Sequence, residues 1–249
     1  ILLFIIGLLL YKLHEIHIKN ETFQSKSNNH GKISVLILSY NRPHNLDESL
    51  PILSKYKLID EIVVSQGHPD YYKEFKYPKV KNIKDYKNNE IYGGARRWFT
   101  AANDMKNDII VILDDDILPS EELINKTYNI LIKNYEKNTI YGNSKRLCDR
   151  NGYKMKVNNN YNSILTRYFI CKKSLFKDYL KFWFKKDEDW LIKHHGNCED
   201  LAFNKFVNKY YNETGVYIDG EFKELDRLNG YSAISDHVKI RNKFCKKFS

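Results

Sequence analysis

The sequence predicts an α/β protein in which a mixed, mostly parallel sheet is flanked by helices, within one domain over residues 32–249. Three observations predict it. Short continuous apolar runs, beginning with ISVLIL at 33–38, have the composition of strands buried on both faces. They alternate with amphipathic stretches of helical length, the order that generates parallel strand pairs. Composition supplies the third: of 249 residues 42% are hydrophobic and 14% aromatic, with 11 Gly and a mean hydropathy of −0.59. Those values exclude a disordered chain, a collagen and a polytopic membrane protein, and leave enough apolar material for a sizeable core.

Taken in order, the run 33–38 ends at Ser39-Tyr40-Asn41-Arg42-Pro43, a turn that opens a helix over 46–53. EIVVS at 61–65 is a second strand, and 79–83 a weaker third. Gly93-Gly94 opens a helix over 95–105, and DIIVIL at 108–113 is a fourth strand. Pro119-Ser120-Glu121-Glu122 starts a long helix to about residue 134, Pro and acids suiting a first turn. The second half is less regular. It gives strands over 139–142, 154–157 and 163–171, helices over 174–184 and 199–211, a last helix near the C-terminus, and two mobile loops at 154–162 and 185–196.

The net charge is +10, from 41 Lys+Arg against 31 Asp+Glu, but the Lys residues are scattered singly and form no dense basic tract. The pattern favours a solvated face with an anion-binding role over a nucleic-acid surface. Residues 1–10 are apolar throughout, and about 20 such residues are needed to cross a bilayer. We read 1–13 as part of a signal anchor and 14–31 as a polar stem. Sequons at Asn20, Asn125 and Asn212 carry little weight in so Asn-rich a chain. The four cysteines show no C-x-x-C pair, which argues against a zinc ribbon and leaves disulfides open in an oxidising compartment.

The strongest chemical signal is Asp114-Asp115-Asp116 directly behind a buried strand. Three adjacent carboxylates repel one another, and oxygen ligands suit a hard cation such as Mn²⁺ or Mg²⁺. Ligands of open parallel sheets bind at the carboxyl ends of the strands, which is where this triplet falls. At the first strand's exit, Ser39, Tyr40, Asn41 and Arg42 offer a ring, an amide and a guanidinium, the groups a nucleotide needs. Gly93-Gly94-Ala95-Arg96-Arg97 combines close backbone approach with two cations at a helix start, an anion-friendly arrangement. Glu199 and Asp200, in NCED at the start of another helix, are further carboxylates for holding a sugar or assisting its displacement.

SYNRP after a buried strand, EIVVS, DDD, NCEDLAFNKFV and the C-terminal GYSAISDHVKIRNKFC resemble the exostosin-like glycosyltransferases, the family 64 type with a GT-A fold, over residues 32–248. The resemblance implies a Mn²⁺-dependent, retaining transfer of a sugar, an N-acetylhexosamine first, from a UDP donor to a glycan or glycoprotein acceptor. By position it places Asp116, with Asp114, on the metal and diphosphate, and Asp114 and Asp115 near ribose, sugar or metal waters. It places Arg42 at the nucleotide, Arg97 or Arg96 at the diphosphate, Asp200 at the reacting sugar and Arg241 at the leaving phosphate. It pairs Cys198 with Cys245 and leaves Cys148 and Cys171 unassigned. With the anchor, it implies a type II protein of the Golgi or ER membrane with a lumenal catalytic domain and no nucleic-acid partner.

Two features depart from the family. Thr166-Arg167-Tyr168 are bulky where it carries small residues beside the sugar, and Tyr92 or Gly93 stands where an Asn is expected. His237 sits where several GT-A families place a metal-binding His, although a helix-surface role suits it better. The alternatives are an inverting family 2-like enzyme with Asp200 as general base, a catalytically degenerate glycan-binding module, and a metal nuclease.

Overall fold

In the computed structural model, which describes residues 31–228 and 236–248, the sheet grows outward from the first apolar run. β1 (Ile33–Ser39) pairs in parallel with β2 (Ile59–Gln66) on one side and β4 (Ile109–Asp114) on the other, and β2 pairs in parallel with β3 (Val80–Lys84). Beyond β4 the direction reverses. β10 (Tyr168–Lys172) runs antiparallel to β4 and to β6 (Tyr141–Gly142), which pairs in parallel with β11 (Val216–Tyr217). The order is β11-β6-β10-β4-β1-β2-β3. Because β1 leads to β2 on one flank while β4 returns on the other, a crevice opens between the carboxyl ends of β1 and β4.

Both faces of the sheet are covered, and the period-2 alternation decides which residue goes where. Val35, Ile37, Val111 and Leu113 face Leu46 and Leu50 of α1 (Pro43–Leu53) and Leu123 and Ile124 of α4 (Glu121–Lys133). Leu36, Ile110, Ile112 and Phe169 face the opposite layer. That layer holds α3 (Arg97–Asn103), α5 (Lys173–Phe182), α6 (Phe184–Lys193) and α7 (Glu199–Tyr211), centred on Trp98, whose ring stacks on Phe176 and Phe203 with centroids 5.7 and 4.6 Å apart. A third cluster joins Leu201 and Ala202 of α7 to Phe244 and Cys245 of α8 (His237–Phe248). Lys32–Ser249 form one compact unit. The anchor and stem expected over residues 1–30, the sequon at Asn20 and the motif stretch 229–235 lie outside the described residues.

Several sequence expectations need correction. The helix expected over 95–105 is a 3₁₀ turn, Gly93–Arg96, followed by α3, and a short helix α2 (Tyr86–Tyr92) precedes them. Pro119 does not open a helix: it ends β5 (Ile117–Pro119), which pairs with β12 (Phe222–Glu224), and Ser120 caps α4 by accepting from the Leu123 amide at 3.1 Å. The single strand over 163–171 is two, β9 (Ser163–Ile164) and β10, and of the strand expected over 154–157 only Lys154 is strand, as the end of β8 (Gly152–Lys154), which forms a hairpin with β7 (Lys145–Asp149). The loop expected at 185–196 is mostly the helix α6.

The disulfide is also different. Cys245 bonds to Cys148, not Cys198, with Cα atoms 5.1 Å apart. The β7–β8 hairpin lies on α8, where the Tyr153 amide donates to Asn242 at 2.8 Å, and this brings Cys148 under Cys245. Cys198 and Cys171 are buried thiols, and burial raises the pKa of both.

Candidate active site

Every strand exit singled out in the sequence opens on the same crevice. At the end of β4, the three carboxylates splay toward different arginines. Asp114 Oδ1 accepts from Arg97 Nη1 at 3.1 Å, Asp115 Oδ1 accepts from Arg42 Nη2, and Asp116 Oδ2 lies 3.5 Å from Arg42 Nη1 and 3.9 Å from Arg227 Nε. Arg42 thus reaches from the β1 exit to the carboxylates at the β4 exit. Burial pushes the Asp115 carboxyl up to about 7 against the pull of Arg42, with Asp114 and Asp116 adding repulsion. Asp116 is raised as well, by burial and then by Asp114. Its Oδ1 is buried without a hydrogen-bond partner.

The second carboxylate pair is delivered by a close meeting of two turns. Gly93 has φ +50° and Gly196 φ +81°, and a Cβ on Gly93 would stand 1.9 Å from the His195 carbonyl oxygen. Only residues without a side chain allow this approach. It sets the start of α3 against the start of α7, so that Arg97 bridges Asp114 and Glu199, the latter at 3.5 Å. Burial, then Asp200, pushes Glu199 up to about 7. Burial works against the Arg97 charge, yet Asp114 and Glu199 more than offset it and hold its pKa above the ordinary value.

Asp200 is buried and fixed on both oxygens. Oδ2 accepts from Arg241 Nη2 at 3.0 Å and Oδ1 from the Leu201 amide at 2.7 Å. Arg241 in turn donates to the Tyr153 hydroxyl at 3.4 Å and to His237 Nε2 at 3.3 Å. That imidazole is held neutral, down to about 4, by burial and by Arg241. His237 is thus half-buried and in contact with the Arg241–Asp200 pair. No three acids, histidines or cysteines converge as a ready metal cage among the described residues. The observation that fits a cation is the orphaned Asp116 Oδ1, with Asp114 beside it, a hard oxygen set.

The sequence had joined Arg96 to Arg97, and their geometry divides them. The Arg96 guanidinium is buried and donates to Asn89, to the Gly93 carbonyl and to the carbonyls of Ser39 and Ser65 at 3.2 and 3.3 Å, with Asp85 at 3.7 Å. It braces the ends of β1 and β2, and burial lowers its pKa to about 10. Ser39 contributes that carbonyl, Asn41 is half-buried, and Tyr40 is exposed with its ring edge against His68, 5.1 Å between centroids. His68 and Tyr153 were not singled out: their sequence surroundings carry no motif.

The bulky triplet is less obstructive than its composition implies. Tyr168 faces the other layer and its hydroxyl meets Thr127, while Arg167 turns to Glu224 at 2.7 Å and lies over the Phe222 ring. Thr166 lies 3.5 Å from Glu199, and the Arg167 charge still acts on Asp116. Beside Arg167, whose carbonyl accepts from the Asp114 amide at 3.0 Å, lies a cleft of about 470 Å³ lined by Asn143, Lys145, Arg146, Lys156 and Tyr217.

A mostly parallel sheet with carboxylates and arginines facing each other across its β1–β4 crevice is the GT-A arrangement of nucleotide-sugar transferases. Residues 33–249 match the model of the glycosyl transferase family 64 domain, and the chain belongs to that family. Its fold is similar to that of GalNAc-T7 crystallised with UDP, GalNAc and Mn²⁺, with a TM-score of 0.53 and 11% identity over 80% of this chain and 44% of that one. It is also similar to the mannosyltransferase PcManGT from Pyrobaculum calidifontis in complex with GDP-Man and Mn²⁺, with a TM-score of 0.52 and 14% identity over 81% and 59% of the two chains. The chain thus spans about half the length of these structures. No curated protein matches the sequence.

Proposed function

We propose that the protein is a divalent-metal-dependent, retaining glycosyltransferase that moves a sugar, an N-acetylhexosamine first, from a UDP donor to a glycan or glycoprotein acceptor. One observation carries the reading: the two carboxylate groups, 114–116 and 199–200, lie at one crevice, each tied to an arginine. Asp116 and Asp114 would hold the cation, Mn²⁺ or Mg²⁺, which when bound neutralises the diphosphate that must leave. Arg42 and Arg97 stand on either side of this triplet and supply positive charge to nucleotide and diphosphate. Arg241 fixes Asp200 in a single orientation, so the carboxylate meets the sugar without having to be ordered first.

This double hold on Asp200 suits orientation better than proton abstraction, which favours the retaining reading over the inverting one. Of the two bulky residues behind the degenerate-module alternative, Tyr168 points away to Thr127, while Arg167 lines the neighbouring cleft. The cleft beside Arg167 is the place we assign to the acceptor. Anchoring through residues 1–13, with a lumenal domain, belongs to the same proposal. Turnover measured with a panel of UDP sugars is the test: Asp116→Ala and Asp200→Ala should each lower kcat at least a hundredfold with the melting curve still cooperative. Full activity in either variant overturns that residue's role.

A further inference from the structure

At the carboxyl end of β2 stand two rings with no place in the chemistry above, His68 and Tyr71. His68 is half-buried between Tyr40, at the β1 exit, and Tyr71, with ring centroids 5.1 and 4.9 Å away. Tyr40 and Tyr71 are exposed, at 41% and 47%. The platform under them is rigid. The Gly67 amide donates to the Ser39 carbonyl at 2.9 Å, and a Cβ on Gly67 would stand 2.7 Å from Arg96 Nη2, so the two strand exits close directly over that guanidinium. Gln66 folds the next loop back on itself. Its side-chain oxygen accepts from the Lys73 amide at 2.8 Å and its side-chain nitrogen donates to the Lys73 carbonyl at 2.7 Å, so its polar atoms are engaged within the loop.

The imidazole is fixed in its tautomer as well as its place. His68 Nδ1 accepts from the Asp70 amide at 3.2 Å and caps the 3₁₀ turn Pro69–Tyr71. An accepting Nδ1 puts the proton of the neutral ring on Nε2, and among the described residues no group accepts from that nitrogen. In the sheet order β4-β1-β2, His68 lies two strands from the Asp114–Asp116 triplet, about 10 Å. The ribose and diphosphate of a nucleotide fill that interval, which leaves its base at Tyr40 and His68. With a nucleotide donor at the triplet, as proposed above, we propose that His68 selects the base: Nε2–H donates to the exocyclic oxygen on the edge far from the sugar, O4 of uracil or O6 of guanine. Cytosine and adenine carry an amino group there, so donor would face donor. The Tyr40 ring offers a stacking face that any base accepts, and the choice among bases therefore falls to His68.

The test is calorimetric titration of the full chain with UDP, CDP, GDP and ADP, each with Mn²⁺. Either UDP binds at least about tenfold more tightly than CDP, or GDP than ADP, and which pair shows the preference identifies the base. His68→Phe keeps a ring and removes the donor. It should weaken the preferred nucleotide about tenfold and leave its amino counterpart within about threefold, so that the preference closes. His68→Gln, which restores an N–H donor, should recover part of it. Tyr40→Ala should weaken both members of the pair alike, by about tenfold. Both side chains lie at a turn and outside the core, and a cooperative melting curve shows that each variant is folded. Equal binding within each pair by the native protein, or a preference that survives in His68→Phe, overturns this assignment and leaves the donor reading standing. No binding of any of the four nucleotides overturns both.

Discussion

Asp200 and Arg241 show how much a single pair can carry. Both are buried, so removing either leaves the other's charge without compensation, which costs about 3–5 kcal/mol. We therefore expect Arg241→Met to lose stability in this range in urea unfolding, and Asp200→Asn, which keeps one acceptor, to lose less. Glu199 supplies the pH dependence. Its folded pKa, near 7, lies above the unfolded value of 4.5, so its contribution to stability is complete below about pH 4.5 and is lost as pH rises through 7. Glu199→Gln should accordingly be more stable than the native protein at pH 8, by roughly 1–3 kcal/mol, and nearly equal to it at pH 4.5. A variant less stable at pH 8 would show that the Arg97 contact outweighs burial. Arg96 and Arg97 mark the limit of reading residues in sequence: adjacent positions on a helical turn point about 100° apart, and only the packed structure shows which one faces the carboxylates.

Among the elements, the turns at Gly93 and Gly196 set the site's geometry. Gly93→Ala should cost at least about 2 kcal/mol, because the Cβ meets backbone and φ is positive, and it should lower kcat by drawing Arg97 from Glu199. Unfolding curves and steady-state kinetics check both halves. Elements with continuous apolar runs were legible: β1, β2, β4 and α7 fall within two residues of their expected ends. α6 was not, because FKKDEDWLIK buries only Phe184, Asp187 and Leu191, a stripe too thin to separate from a charged loop. β5, β11 and β12 are two or three residues long and exist through partners distant in sequence. The two strand exits, 39–42 and 114–116, and the two helix starts, 93–97 and 199–200, that come together at the candidate site were legible, since each follows or opens a patterned element.

For the whole molecule, the disulfide ties a hairpin from the middle of the chain to its last helix. Cys148 and Cys245 are 97 residues apart, so the bond stabilises by about 4–5 kcal/mol in the chain-entropy model. Cys245→Ser should lower the urea midpoint accordingly, and the oxidised protein should show two reactive thiols in denaturant, from Cys171 and Cys198. Pairing partners were not readable from four scattered cysteines, because β7 reaches α8 only through the three-dimensional packing of the hairpin. The central claim is that the crevice between β1 and β4 binds a nucleotide diphosphate together with a divalent cation. The most direct test is the melting temperature of the protein scanned against UDP, GDP and their sugars, with and without Mn²⁺. We expect a rise that requires UDP and Mn²⁺ together and disappears in Asp116→Ala. A melting temperature unmoved by every nucleotide, or a rise that survives in Asp116→Ala, would contradict the account.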